Sequence, residues 1–401
     1  MKPRYFPAAS GGAQPAAVGR APARAVAGPG AAVREMAVSL GPARLALWAL
    51  VAAALVAVGY RMVAGLGAST HLTDVWPWGL WKIVGVVVAI PLAAGAFVVA
   101  AWVHVFRHHG YEALARPAVL AGFIGYLTAV ASLVVDIGQP HRIWHPIVMW
   151  QPHSVLFEIC WCVILYTTVL ALEFSPVALR ALGWERPRRA LEAAIVPLAV
   201  AGATLCVLHQ SSLGSLFLIA PGRVHPLWYT PALPLIFFVS SVAAGLATLQ
   251  ILTWVTGRLY GQAVGERLKA GLARGLTVVL GLLLAVRVVD WAARGTGPWQ
   301  ATGLEAAMAW LELLVGIALP LVLLAWEWRS GGIRWRLLAA VLAAGGVFLH
   351  RLDVGLISMR QAANGAGYFP SWMEFLVMAG IVALGMLAYD WVARRLPLFE
   401  R

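Results

Sequence analysis

The densest gathering of residues able to do chemistry lies between Asp136 and Glu158, in the stretch DIGQPHRIWHPIVMWQPHSVLFE. It holds His141, His145 and His153, Arg142, two tryptophans and three prolines, with a carboxylate at each end. A carboxyl group held against apolar surface has its pKa raised toward neutrality, which suits a group that takes and gives protons. Asp136 and Glu158, at the facing ends of two long apolar runs, are therefore candidates for proton transfer. The bland alternative for each is an ion pair with Arg142 or another cation. Histidines four residues apart on a helix can bind a metal. Here Pro140, Pro146 and Pro152 interrupt any continuous helix, so no metal site is expected. His141 and His153 remain as hydrogen-bond donors to a ligand carbonyl, as partners of Asp136, or as plain interfacial histidines.

Three further features bear on the same region. The run THLTDVWPWGLWK (Thr70–Lys82) brings Trp76, Trp78 and Trp81 to the start of an apolar segment. Tryptophans gather at membrane interfaces as anchors; they also make a flat wall for a planar ligand. Lys82 sits one turn inside that segment and needs a counter-charge, with Asp136 or Glu158 in place to supply it. The run HQSSLGSLFLIAPGRVHPLWYTP, opening at His209, is dense in hydroxyls and small residues. Such residues line water paths or let helices pack closely. His209 and His350 lie near the same ends of their segments, which leaves one haem between them geometrically open. No segment carries two well-separated histidines, so a stacked two-haem wire is not expected. Cys160, Cys162 and Cys206 lack the spacing of a zinc or iron–sulfur site. Any metal cluster delivering electrons here belongs to a partner.

The elements that must hold these residues are membrane helices. The 401-residue chain is 61% hydrophobic and only 12% charged, with a mean hydropathy of +0.80. A soluble domain carries roughly twice that charged fraction. Ten segments reach the roughly 20 apolar residues that a span needs: about 45–64, 79–103, 117–135, 154–173, 191–216, 232–255, 271–291, 303–326, 335–352 and 372–393. The expected fold is thus all-α and polytopic, with ten transmembrane helices in one domain over 45–395. A shared VVD, in SLVVDIG and VRVVDWA, hints at two related four-helix blocks, 79–216 and 232–352, and hence two four-helix bundles plus flanking helices. Residues 1–44, rich in Ala, Pro and Gly with six basic residues, read as a disordered cytoplasmic tail rather than a signal peptide. The net charge of +13 does not point to nucleic acid, because the basic residues alternate with the apolar segments instead of sharing a face. Of the 30 Lys and Arg, 22 fall in the tail or in alternate loops. Those loops are expected to be cytoplasmic, with both termini. The polar residues then cluster on the outer face.

At these runs the chain resembles the NrfD/PsrC-type integral membrane subunits, and most of all their ten-helix HybB branch, the membrane subunits of periplasm-facing [NiFe] hydrogenases. The likeness rests on HLTDVWPWGLW, DIGQPHRIWHP, SVLFEICWCVILYTTVLALEFSP (Ser154–Pro176), HQSSLGSLFLIAPGRVHPLWYTPALPLIFFVSS and YFPSWMEF (Tyr368–Phe375), and spans about 70–395. It implies a haem-free, quinone-reactive subunit of a bacterial inner membrane. Its partners would be a ferredoxin-like iron–sulfur subunit and the hydrogenase small and large subunits. Electrons would pass to menaquinone or ubiquinone near the periplasmic face. Glu158 in LFEICWC matches the membrane glutamate used for quinone or proton chemistry, Asp136 the carboxylate ending the third helix, and His209 the opening of HQSSLGS. Trp78, Trp81, Lys82, His141, His153 and His209 are the expected quinone-binding set, although Lys82 and the basic tail have no counterpart in the family pattern. Other members of this family serve polysulfide, molybdopterin and respiratory enzymes, so a different catalytic partner is the alternative within the family. Outside it stand a haem-b anchor and a secondary transporter. A transporter should show broken helices at mid-membrane, whereas the charges here lie away from the centre.

Overall fold

The computed structural model describes residues 41–262, 264–330, 335–363, 367–396 and 398–399. The protein is an all-α, integral multi-pass membrane protein, and among the described residues ten helices are long and apolar enough to cross a bilayer. They are α1 (Pro42–Ala64), α2 (Leu80–Val105), α3 (Glu112–Asp136), α4 (Val155–Ala181), α5 (Ile195–Leu218), α6 (Leu233–Tyr260), α7 (Glu266–Arg294), α8 (Gly303–Arg329), α9 (Arg336–Ala363) and α10 (Trp372–Arg395). Spanning segments are helical because a bilayer offers no water to satisfy backbone N–H and C=O groups. The end signals are local. Ser154 caps α4 by accepting from the Phe157 amide. Ser371 and Glu374 form a capping box on α10, and Gly261 and Gly295, both at positive φ, close α6 and α7. α9 runs past the expected end near 352, because its last turns tighten into 3₁₀ geometry. Of the basic tail expected over 1–44, residues 1–40 lie outside the described residues, as do Arg334 and Arg401 of the charge count.

α2, α3, α4 and α5 pack each on the next, and α5 returns to α2. α6, α7, α8 and α9 repeat that circuit. The circuits meet where α6 lies against α2 and α5, and where α9 lies against the first turns of α2. α2 and α6 are accordingly the most enclosed spans, 78% and 72% buried in their apolar windows. They touch through glycine: a Cβ on Gly245 would stand 2.7 Å from the Gly95 nitrogen. α10 leans on α3 and the start of α2, and α1 covers α10 through Val51, Ala54, Ala383 and Leu387. Three stretches widen into π-helix, Ile83–Val88 and Ala101–Val105 within α2 and Glu312–Ala318 within α8. Such wide turns recur at functional sites. Here one begins directly after Lys82 and another at Glu312.

Candidate functional site in the α2–α5 half

Lys82 and Asp136 meet. The Lys82 ammonium lies 3.1 Å from Asp136 Oδ2, with the lysine side chain 27% exposed and the aspartate 2%. Lys82 therefore takes its counter-charge from Asp136 rather than Glu158, and Asp136 pairs with Lys82 rather than with exposed Arg142. A second cation fixes the end of α3. Buried Arg61, from α1, donates to the carbonyls of Val135 (2.6 Å) and Ile137 (2.5 Å), either side of Asp136. Its charge sits where α3 exposes its unsatisfied carbonyls, the favoured end for a cation. α2 and α3 close tightly here, since a Cβ at Gly85 would collide with the Ser132 hydroxyl. That hydroxyl donates to the Trp81 carbonyl at 2.8 Å.

The entry to α2 is held by the far end of the chain. The Leu80 amide, an orphan donor at a helix start, donates to the Tyr368 hydroxyl at 2.8 Å. Tyr368 in turn donates to Glu374 Oε2 at 2.5 Å. The other Glu374 oxygen accepts from the amides of His71 (3.1 Å) and Ser371 (3.0 Å). Burial, then this bond to a carboxylate, pushes the Tyr368 hydroxyl pKa up, so it stays a donor. Trp76 stacks on Tyr368. The motifs around WPWGLW and YFPSWMEF thus form one clamp. Trp81 belongs to it: it is 1% exposed, donates to the Glu374 carbonyl at 3.1 Å and packs with Val135, Val377 and Met378. Trp78 points elsewhere, edge-on to Phe217 with Lys82 5.8 Å above its ring.

Between α2, α3, α4 and α5 lies a narrow apolar cavity of about 70 Å³. Val86, Val87, Ile90, Ala129, Leu133 and Ile159 are among its walls, and Lys82 is the one charged residue lining it. Neither Glu158 nor Trp81 faces this space. Glu158 is exposed on the protein surface and turns to α5, where the Ser212 hydroxyl donates to it at 2.6 Å. This corrects the expectation that burial and a face-to-face placement with Asp136 would define it. The residues of α4 one turn apart explain the difference. Leu156, Ile159, Cys160 and Val163 share the cavity face, whereas Glu158, Cys162, Tyr166 and Glu173 form the stripe toward α5.

That second stripe was not read from the sequence. His209 is fully buried and shares a 3.1 Å hydrogen bond with Tyr126 of α3, which packs edge-on to Tyr166. Further along, Glu173 stands opposite Gly202 of α5. Tyr166 Oη, Thr167 Oγ1, Glu173 Oε1, His209 Nε2 and both side-chain ends of Gln210 are buried without a protein partner. So many unsatisfied groups along α4 and α5 call for an explanation. The available signal was Glu173 itself, a carboxylate deep in an apolar run.

His141 and His153 are exposed on the loop between α3 and α4. His209 and His350 lie in different halves, and His350 is already engaged, 3.0 Å from Glu312 and 3.2 Å from Arg287. A larger pocket, about 560 Å³, opens on the same face beside the second half, lined by His225, Gln300, Thr302, Glu305 and Arg360. It is polar and open where the first cavity is narrow and apolar. Burial lowers the His225 pKa despite the nearby Glu305 carboxylate, favouring a neutral ring there.

A ten-helix membrane protein with an ion pair at the mouth of an apolar slot defines the class, and comparison with known proteins defines the family. The profile described as "Polysulphide reductase, NrfD" matches residues 68–358, and the chain belongs to this family. A protein of Nitratidesulfovibrio vulgaris is 36% identical over 351 residues, 84% of this chain and 89% of its own. The Escherichia coli (strain K12) "probable Ni/Fe-hydrogenase 2 b-type cytochrome subunit" is 32% identical over 84% of this chain and 87% of its own length. The "menaquinone reductase, integral membrane subunit" of Nitratidesulfovibrio vulgaris is 27% identical over 88% of this chain and 89% of its own.

Proposed function

We propose that this chain is the quinone-reactive membrane subunit of a respiratory complex, receiving electrons from an iron–sulfur partner, with a [NiFe] hydrogenase as the catalytic module. The reading is carried by the Lys82–Asp136 pair at the mouth of an apolar cavity. A quinone has an apolar tail and two ring carbonyls, and such pockets combine apolar walls with a few polar groups that fix orientation. Reduction of a quinone to its quinol takes two electrons and two protons. Lys82 is placed to donate a hydrogen bond to a ring carbonyl and to offset developing negative charge. Asp136, released from Lys82 as that bond forms, can take up a proton and pass it on to the same carbonyl. Trp78 walls the approach through its contacts with Phe217 and Lys82. The names of two relatives support quinone chemistry and a hydrogenase partner, since one is a menaquinone reductase subunit and another a probable Ni/Fe-hydrogenase subunit.

Protons are drawn from the Arg-rich face through the seam of Glu173, Tyr166, Tyr126, His209 and Ser212 to Glu158, which lies at the outer end of α4 beside the cavity and not on its wall. The unpartnered polar atoms along that seam support the route. By charge distribution that face is cytoplasmic, with both termini, so turnover would carry positive charge toward the periplasmic side. His141 and His153, exposed on the outer loop, then belong to the surface on which the iron–sulfur partner docks.

The test is kinetic, in the assembled complex. Lys82→Met and Asp136→Asn should each lower quinone reduction by about 100-fold, the usual scale for a placed acid or donor. Electron donor oxidation with an artificial dye should stay intact. Unchanged quinone turnover in both variants refutes the assignment.

A further inference from the structure

The second half contains a buried ionic cluster for which quinone chemistry has no use. Glu312 opens the π-helical turn of α8 and is 3% exposed. It accepts from Arg287 of α7 at 2.8 Å and from the Trp228 indole at 3.3 Å, with His350 Nδ1 of α9 at 3.0 Å. The same His350 nitrogen lies 3.2 Å from Arg287 Nη1. Guanidinium can only donate and an ionised carboxylate can only accept. His350 Nδ1 therefore has one partner when it carries a proton and the other when it does not. Its Nε2 is buried without a protein partner.

Next on α9 come Arg351 and Asp353, both 0% exposed. Arg351 donates to the Phe237 carbonyl (2.8 Å) and the Ser240 hydroxyl (3.0 Å), with its guanidinium 3.3 Å from the Phe237 ring centroid. Its Nε and Nη1 have no protein partner, and neither does either oxygen of Asp353. Two guanidiniums here face one paired carboxylate. An ionised Asp353 makes the cluster neutral but is a buried charge without a hydrogen bond; a protonated Asp353 removes that buried charge and leaves the cluster with one positive charge in excess. Each form carries a penalty, and a group penalised in both forms is poised to change between them. A void of about 10 Å³ beside Ser240, Glu312 and His350, about the size of one water molecule, gives the cluster a place for a proton carrier.

We propose that Asp353 is a proton-exchanging carboxyl group, a second protonatable site separate from Lys82–Asp136, set by its burial without a hydrogen-bond partner and by the neighbouring His350–Glu312–Arg287 cluster. The charged groups acting on it are Glu312 from α8 and Arg287 from α7, with His350 and Arg351 its near neighbours along α9. α6 contributes Phe237 and Ser240, and α2 presents apolar Ile83, packed on Gly355. The step is proton binding alone: the carboxylate takes one proton from water and returns it to water, with no electron moved. This inference rests on the cluster and holds whether or not the chain reduces quinone.

The experiment is infrared difference spectroscopy of the purified full complex, between mildly acidic and alkaline buffers. The wild type should show the carbonyl stretch of a neutral carboxylic acid on the acid side, moved to lower frequency by ¹³C-carboxyl aspartate. That band should vanish in Asp353→Asn, shift in Asp353→Glu and survive in Asp136→Asn. No aspartate-sensitive band in the wild type, or one unchanged in Asp353→Asn, overturns the proposal. Labelled wild type needs no substituted protein, so a poorly folding variant does not shield the idea. Quinone turnover, measured separately, reports on the other reading.

Discussion

At the scale of residues, four side chains set the first-half site: Lys82, Asp136, Arg61 and Trp78. Arg61 shows how positioning differs from chemistry. It donates to two backbone carbonyls at the end of α3 and leaves the Asp136 carboxylate to Lys82. Arg61→Gln removes two charge-assisted hydrogen bonds, each worth about 1.5–3 kcal/mol. It should lower the melting temperature in detergent and weaken apparent quinone affinity more than maximal rate; an unchanged melting curve would show that the contacts carry no weight. Glu158→Gln probes the other stripe. It should slow quinone reduction about 100-fold while dye-linked donor oxidation is kept, and normal quinone kinetics would remove Glu158 from the proton path. Sequence reading located Asp136, Lys82 and their pairing as one of two options. It missed the direction of Glu158, because facing helix ends do not fix which way a side chain points. Tyr126, Tyr166 and Glu173 escaped for a related reason: they lie on two apolar runs, α3 and α4, whose polar content only becomes a seam once these helices pack with α5.

At the scale of elements, α2 is the organising helix, entered through a clamp and widened by a π-turn directly after Lys82. The clamp joins residues near 71–81 to Tyr368–Glu374, almost the full length of the described chain. Sequence alone showed both motifs as candidates and gave no reason to join them. What binds them is satisfaction of orphan amides at two helix starts, a tertiary matter. Ser371→Ala removes the cap of α10 and should cost about 1 kcal/mol, read as a drop in melting temperature together with looser proteolytic protection of the 66–80 segment. The α2–α6 crossing makes a second prediction. Gly245→Val places carbon against the Gly95 backbone, and overpacking of this kind costs about 1–3 kcal/mol. Thermal unfolding should move down accordingly, and a neutral result would mean the two helices can separate without loss.

At the scale of the whole molecule, the ten spans were legible because hydrophobic length is a strong signal, whereas some ends, those of α4 and α9 above all, run several residues further than expected. The alternation of basic loops agrees with that count. Function divides unevenly over the two circuits of helices. The α2–α5 half has a narrow apolar cavity with Lys82–Asp136 at its mouth, while the α6–α9 half has an ionic cluster and a broad polar pocket. Both openings lie on one face, so the two pockets are rivals for a quinone ring. The decisive measurement is photo-crosslinking of the intact complex with an azido-quinone, followed by mass-spectrometric mapping of the labelled peptides. The account predicts label on 82–90, 129–136 and 156–163, lost in Lys82→Met. Label confined to the peptides around His225, Thr302 and Arg360 would contradict it.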